Sequence, residues 1–196
     1  CIRDRLQEFT ASVDLADNKY GFTPLHAASQ EGHVEVVRCL LGEFGASVDL
    51  AKEGGATPLF IASQQGHLEV VRHLLGEAGA SVDLASMKGL TPLVIASGKG
   101  HLEVVRHLCG EAGASVDLAR QEGATPLYIA SQNDHLEVVR HLLGEAGASV
   151  DLADKRGVTP LYIASEKGHL EVVRHLCGEA GASVDLAWEG GLTPLF

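Results

Sequence analysis

The sequence predicts an all-α fold in which short helical units stack in a row, and three observations favour it. First, HLEVVRHLCGEAGASVDLA occurs at 101–119 and again, letter for letter, at 169–187, with a near-copy at 67–85 and 135–153. Second, each unit opens with Thr-Pro, which is typical of a helix start. Third, apolar residues inside each unit recur at helical spacing. A fixed period of 34 residues indicates one small unit that buries its apolar face only against its neighbours.

The recurrent Thr-Pro-Leu sets the boundaries of the units. Its threonine returns every 34 residues, at Thr23, Thr57, Thr91, Thr125, Thr159 and Thr193. We therefore predict five full repeats, at 23–56, 57–90, 91–124, 125–158 and 159–192. The second helix and loop of a partial repeat would occupy 1–22, and the start of a sixth, truncated repeat would occupy 193–196.

Each unit is predicted to begin with a short helix, as in the unit 57–90. Thr57 precedes Pro58, and a threonine cap followed by proline in the first turn sacrifices no backbone hydrogen bond. Gly66 then stops the segment in the way that a left-handed C-terminal glycine does. The first helix should therefore be about two turns long.

A second helix is predicted over about Leu68 to Glu77. Its apolar residues fall at three- and four-residue spacings and make one stripe (Val71, Leu74, Leu75). Glu69 and Arg72 are placed to pair on the solvent side. Because isolated helices under about 12 residues are marginal in water, each unit must bury its stripe against the next one.

The stretch TPLHAASQEGHVEVVRCLL at 23–41 resembles the ankyrin repeat, in its Thr-Pro-Leu-His opening, its Gly-His between the helices and its second helix, which reads Leu-Glu-Val-Val in the later units. The resemblance covers nearly the whole chain. It implies an ankyrin-repeat solenoid of helix-turn-helix units joined by hairpin-like loops. It also implies that loop tips and first helices line a concave surface that binds other proteins.

Three departures from the family pattern stand out. The period is 34 rather than 33, with an extra residue near 76–78. The motif histidine survives only as His26, and the aligned positions hold Phe60, Val94, Tyr128, Tyr162 and Phe196. We expect the two tyrosines to pack between repeats. Asp134 replaces the glycine between the helices, a residue that tolerates the left-handed region better than most.

Charge and hydropathy exclude two classes of partner. A net charge of −11 opposes binding to phosphate backbones, so no nucleic-acid partner is expected. No apolar run approaches the roughly 20 residues that cross a bilayer, so no membrane partner is expected either. The four cysteines (Cys1, Cys39, Cys109, Cys177) lack zinc or disulfide spacing, which favours an intracellular, cytoplasmic location and small apolar roles.

Repeating ladders of histidine and aspartate suggest chemistry but do not fit it. The histidines form two ladders (His33, His67, His101, His135, His169 and His73, His107, His141, His175), and a third ladder is acidic (Asp49, Asp83, Asp117, Asp151, Asp185). Rungs about 8 to 10 Å apart cannot share a zinc ion held at about 2.0 to 2.1 Å. No phosphate loop or nucleophile elbow appears. We predict no catalytic residue, no metal and no cofactor.

The copies differ most at the predicted loop tips, which read KEGGA at 52–56, SMKGL at 86–90, RQEGA at 120–124, DKRGV at 154–158 and WEGGL at 188–192. Tryptophan is enriched at interface hot spots, although Trp188 could instead cover neighbouring apolar surface. The candidate partner-binding residues are Lys52, Glu53, Met87, Lys88, Arg120, Gln121, Lys155, Arg156, Trp188 and Glu189.

Two functions fit these patterns. The favoured one is a non-catalytic module that binds a protein partner, of unknown identity, through the loop tips and first helices. The alternative is a structural spacer or an end-to-end self-assembling array, because low diversity among the repeats suits such a role. The chain opens on CIRDRLQEF and closes on TPLF, so we expect either continuation in a longer array or head-to-tail association of copies.

Overall fold

The computed structural model describes residues 13–17 and 19–186, and ten helices in this part of the chain form five successive pairs. The first helices of the pairs are Pro24–Glu31 (α1), Pro58–Gln65 (α3), Pro92–Lys99 (α5), Pro126–Gln132 (α7) and Pro160–Lys167 (α9). The second helices are Val34–Gly42 (α2), Leu68–Gly76 (α4), Leu102–Cys109 (α6), Leu136–Gly144 (α8) and Leu170–Gly178 (α10). No strand occurs in the described residues, so the all-α prediction is confirmed.

Local sequence signals set the ends of the first helices, as α3 illustrates. The Thr57 hydroxyl oxygen accepts a hydrogen bond of 3.2 Å from the backbone N–H of Phe60. Gly66 ends the helix in the left-handed region at φ 79°. A Cβ on Gly66 would also lie only 2.6 Å from Nδ1 of His101 in the next pair. The position therefore favours glycine for its backbone conformation and for the space it leaves.

The pair containing α7 departs from this pattern in the expected way. The helix has seven residues and is capped by Asn133, and Asp134 takes the left-handed conformation at φ 61°. His169 of the following pair lies beside it, with Nδ1 of His169 3.8 Å from Oδ1 of Asp134. The prediction that aspartate substitutes for glycine here is confirmed.

The hydrophobic core runs as one continuous cluster through all five pairs. Each first helix contributes a leucine with no exposed surface (Leu25, Leu59, Leu93, Leu127, Leu161). Each second helix contributes at least one fully buried valine, such as Val71, and the later ones add a leucine such as Leu74. No helix between Pro24 and Gly178 exceeds nine residues, so the stability of each helix must come from these contacts with its own partner and with the neighbouring pairs.

Neighbouring pairs approach more closely along their first helices than along their second helices. A stack that is tighter on one side bends towards that side, so the first helices lie on the inner side of the row. The loops between pairs lead directly into the capped starts of the first helices. The loop tips therefore lie along the same inner edge.

Truncation of a fully buried leucine should destabilise the unit that contains it and the units packed on it. We expect Leu93→Ala to lower the free energy of unfolding by about 2 to 5 kcal/mol, because it removes buried apolar contacts and leaves a cavity in the core. Urea denaturation followed by far-UV circular dichroism measures the change. Leu118→Ala is the matched control, since Leu118 is 41% exposed and its truncation should cost far less. Equal losses in the two variants would contradict the continuous core.

Candidate functional site: the loop tips

The tips are tight turns closed by the same two backbone hydrogen bonds in each described unit. We number them tip 1 (52–56), tip 2 (86–90), tip 3 (120–124) and tip 4 (154–158). In tip 3 the N–H of Arg120 donates to the carbonyl of Ala124 at 3.1 Å, and the N–H of Gly123 donates to the carbonyl of Arg120 at 2.8 Å. The glycine has φ 86°, so a left-handed residue closes the turn. The turn fixes the backbone and leaves the side chains of its first three residues free to vary.

Backbone hydrogen bonds join each tip to the next. The N–H of Met87 donates to the carbonyl of Gly54 at 3.0 Å, and the N–H of Lys155 donates to the carbonyl of Glu122 at 3.0 Å. A Cβ on Gly123 would lie 2.8 Å from the backbone nitrogen of Lys155, so glycine permits this close approach. The tips consequently form an ordered row whose side chains are held at fixed relative positions.

Most of the predicted partner-binding residues are accessible in this row. Glu53, Met87, Lys88, Gln121, Lys155 and Arg156 are exposed, and Lys52 and Arg120 are half-buried. Trp188 and Glu189 lie outside the described residues. Whether any of these side chains contacts a partner stays a prediction.

Tip 4 is held by a buried carboxylate, Asp154, which is not among the predicted partner-binding residues. Asp154 is 8% exposed, and Oδ1 accepts hydrogen bonds from the N–H groups of Arg156 at 2.9 Å and Val158 at 3.0 Å. Its Oδ2 accepts from Nε and Nη2 of Arg156 at 3.1 and 2.9 Å. An aspartate three residues before glycine is a known turn signal, so this role was readable from the order Asp-Lys-Arg-Gly.

Tyr128 connects this network to the core. Its side chain is 2% exposed and belongs to a hydrophobic cluster with Val94, Ile129 and Val158. Burial raises the pKa of the Tyr128 phenol and the nearby Asp154 carboxylate adds to the effect, while the adjacent Arg156 guanidinium opposes it. The expected packing between repeats is confirmed for Tyr128, which also supports tip 4 from below.

A groove of about 530 Å³ lies between tips 3 and 4. Its lining consists of Arg120, Gln121, Glu122, Asp154, Lys155 and Arg156. Four of these six residues were predicted partner-binding residues, but no sequence pattern indicated a groove between these two tips. Its lining is specific to this pair of units, because the residues at these tip positions differ in tips 1 and 2.

Two other grooves lie between second helices, on the outer side of the row. One, of about 590 Å³, is lined partly by Arg38, His73 and Glu77, and the other, of about 350 Å³, partly by Arg106, His141 and Glu145. These residues are the same three positions displaced by 68 residues. Surfaces that recur in this way present the same chemistry at each site and favour no one place along the chain.

Four of the five aspartates of the acidic ladder (Asp49, Asp83, Asp117, Asp151) bind a serine of the next unit. Both carboxylate oxygens of Asp49 lie 3.1 Å from the backbone nitrogen of Ser81, and Oδ2 accepts a hydrogen bond of 2.6 Å from the Ser81 hydroxyl. The same clasp joins Asp14 to Ser47, Asp83 to Ser115, Asp117 to Ser149 and Asp151 to Ser183. These carboxylates therefore hold the stack together.

Four members of the first histidine ladder likewise bind backbone. Nε2 of His67, His101, His135 and His169 lies 2.9 to 3.1 Å from a carbonyl oxygen at the end of the preceding first helix. In the second ladder, Nδ1 of each histidine lies 3.0 to 3.4 Å from a glutamate carboxylate four residues later. The expected structural role is confirmed for the first ladder, and both ladders repeat at fixed interfaces. Within 13–17 and 19–186, no group of three or more potential ligands is placed to hold a metal ion.

Sequence similarity identifies the family of this fold. A family model described as ankyrin repeats, in three copies, matches residues 4–86, 78–154 and 113–188. The chain belongs to the ankyrin-repeat family. No curated protein matches it. Ankyrin repeats are generally protein–protein interaction modules and are generally non-catalytic. None of the helices that the structure describes is both long and apolar enough to span a membrane.

The ankyrin motif histidine, His26, keeps its place in the first described repeat. Its Nδ1 lies 2.8 Å from the Thr23 hydroxyl oxygen, and its Nε2 lies 3.2 Å from the carbonyl oxygen of Ala56 at the end of tip 1. Burial lowers the pKa of His26 and the charge of Lys52 lowers it further, although the Ala56 carbonyl acts in the opposite direction. The folded protein therefore favours the neutral imidazole.

The His26 shift predicts a loss of stability in acid. Because the pKa of His26 is lower in the folded state than its ordinary value of 6.5, the unfolded state binds the proton more readily. Its stabilising effect is present above pH 6.5 and is lost as pH falls below that value. We expect His26→Phe, which copies Phe60 of the next repeat, to flatten the pH dependence of the urea midpoint between pH 7 and 5. Identical slopes for both proteins would contradict the assignment.

The cysteines in the described repeats are small apolar side chains, as predicted. Cys39, Cys109 and Cys177 are unpaired and half-buried, and Cys109 and Cys177 pack against the main core. Burial raises the pKa of the Cys109 thiol to about 11, from an ordinary value of 9.0. A thiol with this pKa is a poor nucleophile at neutral pH, since the thiolate is the reactive form.

Cys109 should therefore resist alkylation while the protein is folded. In a variant with Cys1, Cys39 and Cys177 replaced by serine, iodoacetamide at pH 8 should label Cys109 about a hundredfold more slowly than it does in urea, since the pKa difference is about two units. Mass spectrometry of timed samples measures the rate. Comparable rates in the folded and unfolded protein would rule out the buried thiol.

Proposed function

We propose that this ankyrin-repeat chain is a non-catalytic module that binds a protein partner through its row of loop tips and first helices. The observation that carries the proposal is that repeated side chains and variable side chains have different roles. Residues that recur every 34 positions are taken up by core packing, by Asp–Ser clasps and by histidine–carbonyl contacts. The stretches that differ most between copies are the loop tips, where most of the variable side chains are exposed.

The tips suit recognition because their backbone is held in place before a partner arrives. Hydrogen bonds within tips and between tips fix the row, and tip 4 is further fixed by Asp154. A surface that is already ordered loses less conformational entropy on binding than a flexible one. The exposed set includes Met87 at 72% exposure and Arg156, residue types that are enriched at interfaces.

The proposal predicts that capture of a partner depends on the tips. We expect substitution of Trp188, Lys155 and Arg156 by alanine to reduce the amount of a specifically captured protein by about tenfold or more, because hot-spot side chains dominate binding. The immobilised chain is exposed to native extract, and bound proteins are quantified by mass spectrometry. A control with Arg72, Glu103 and Arg140 replaced by alanine changes three exposed side chains on second helices.

A protein retained by the wild type and by the second-helix control, but not by the tip variant, supports the proposal. Equal capture by all three proteins would contradict it. Circular dichroism and urea midpoints establish that the tip variant is folded.

The competing function is a structural spacer or self-assembling array. It is favoured by the near-identity of the repeats, including the nineteen identical residues at 101–119 and 169–187. Uniform repeats with uniform clasps suit a rod whose length is its purpose. Sedimentation velocity separates the two functions: concentration-dependent growth that the tip variant leaves unchanged, together with tip-independent capture, would favour assembly.

A further inference from the structure

The charged groups of tips 3 and 4 differ in how far they are committed to partners within the chain. Asp154 is buried and engaged with Arg156 at 2.9 Å. Nε of Arg120 lies 3.2 Å from Oε2 of Glu122, and that glutamate is well exposed. Lys155 is exposed, and no carboxylate in the described part of the chain lies within ion-pairing distance of it. The two carboxylates thus have cationic partners already, whereas Lys155 has no carboxylate partner among residues 13–17 and 19–186.

The same residues line the groove between the two tips. Three cations and two carboxylates face it, so its lining carries a formal charge of +1 in a chain whose net charge is −11. The repeating acids lie elsewhere. Aspartates such as Asp117 bind serines, glutamates such as Glu137 pair with arginines (Arg140, at 2.9 Å), and the remaining repeated glutamates lie beside histidines of the second ladder. At physiological salt their field is screened beyond about 8 Å, so the local charge governs the groove.

Arg156 is positioned to recognise a carboxylate. Its Nε and Nη2 are held by Asp154, which orients the plane of the guanidinium, and its side chain remains 63% exposed. A second hollow of about 260 Å³, lined by Arg156, Val158, Tyr162 and Glu166, lies on its other side. An arginine whose side chain is already oriented in this way loses little conformational freedom when it binds an anionic ligand.

We propose that the groove between tips 3 and 4 binds an acidic segment of the protein partner, with Lys155, Arg120 and Arg156 contacting its carboxylates. This inference rests on the proposed protein-binding function and gives its partner a chemistry. Lys155 supplies a positive charge that is not paired with any described carboxylate. Arg120 and Arg156 supply further hydrogen-bond donors in the same lining. Gln121 adds an exposed amide within the same lining, although its Nε2 already donates to the carbonyl of Met87 at 2.6 Å.

Peptides of defined charge test the inference directly. Fluorescein-labelled peptides of about ten glutamates, glutamines or lysines are titrated with the full chain, and fluorescence anisotropy is read at low and high salt. We expect the glutamate peptide alone to bind, and to bind less tightly as salt rises, because the attraction is between exposed charges.

Matched charge variants locate the binding. Arg120→Gln with Lys155→Gln should weaken binding of the glutamate peptide by about fivefold, since a typical exposed ion pair contributes a factor of about two and two pairs are lost. Arg140→Gln with Lys99→Gln removes one arginine and one lysine outside the tips and should change the affinity by less than about twofold. Arg156 is left intact in both proteins, so tip 4 keeps its internal contacts.

Three results would overturn the inference: the glutamate peptide binding no better than the glutamine peptide, equal losses in the two double variants, or no loss in either. These failures are separable from failure of the proposed function. If acidic peptides do not bind but partner capture still depends on the tips, only the acidic-segment inference falls. If capture does not depend on the tips, the protein-binding proposal falls with it.

Discussion

Burial of each unit's apolar face against the next unit is the constraint on which this structure depends. No helix in the described repeats exceeds nine residues, and such helices are marginal alone in water. Leu59, Leu93 and Leu127 lose all their exposed surface because neighbouring pairs enclose them. Stability is therefore approximately a sum of contacts between neighbours, and a change at one interface is felt mainly by the two units that share it.

Polar contacts follow the same rule and give the stack its register. Asp117 of one unit clasps Ser149 of the next, and His135 reaches a carbonyl oxygen of the unit before it. These carboxylates and imidazoles are residue types that enzymes use for catalysis. Here the fold places each of them at an interface, where its lone pairs or protons are occupied by neighbouring backbone and hydroxyl groups.

The side chains of the tips are freer to vary than those of the core, because stacking of the tips depends mainly on their backbone. Glycines such as Gly123 keep adjacent turns close, while the residues at the second and third tip positions are exposed. Tip 4 shows that a single side chain can still become structural, since Asp154 is buried beneath Arg156 and beside Tyr128. Variation at the tips can change recognition with little effect on the core.

The sequence by itself determined the all-α class, the 34-residue period, the Thr-Pro helix starts and the left-handed residue at Asp134, because these depend on local backbone preference and on periodicity. It also located the variable tips. Only the tertiary structure decided that Asp154 is buried, that Asp49 clasps Ser81, and that a groove separates tips 3 and 4. The Asp49–Ser81 contact and the groove join residues about 30 or more positions apart, and Asp154 is buried beside Tyr128 of the preceding unit. The geometry of these features is set when one unit packs on another, so neither unit alone encodes it.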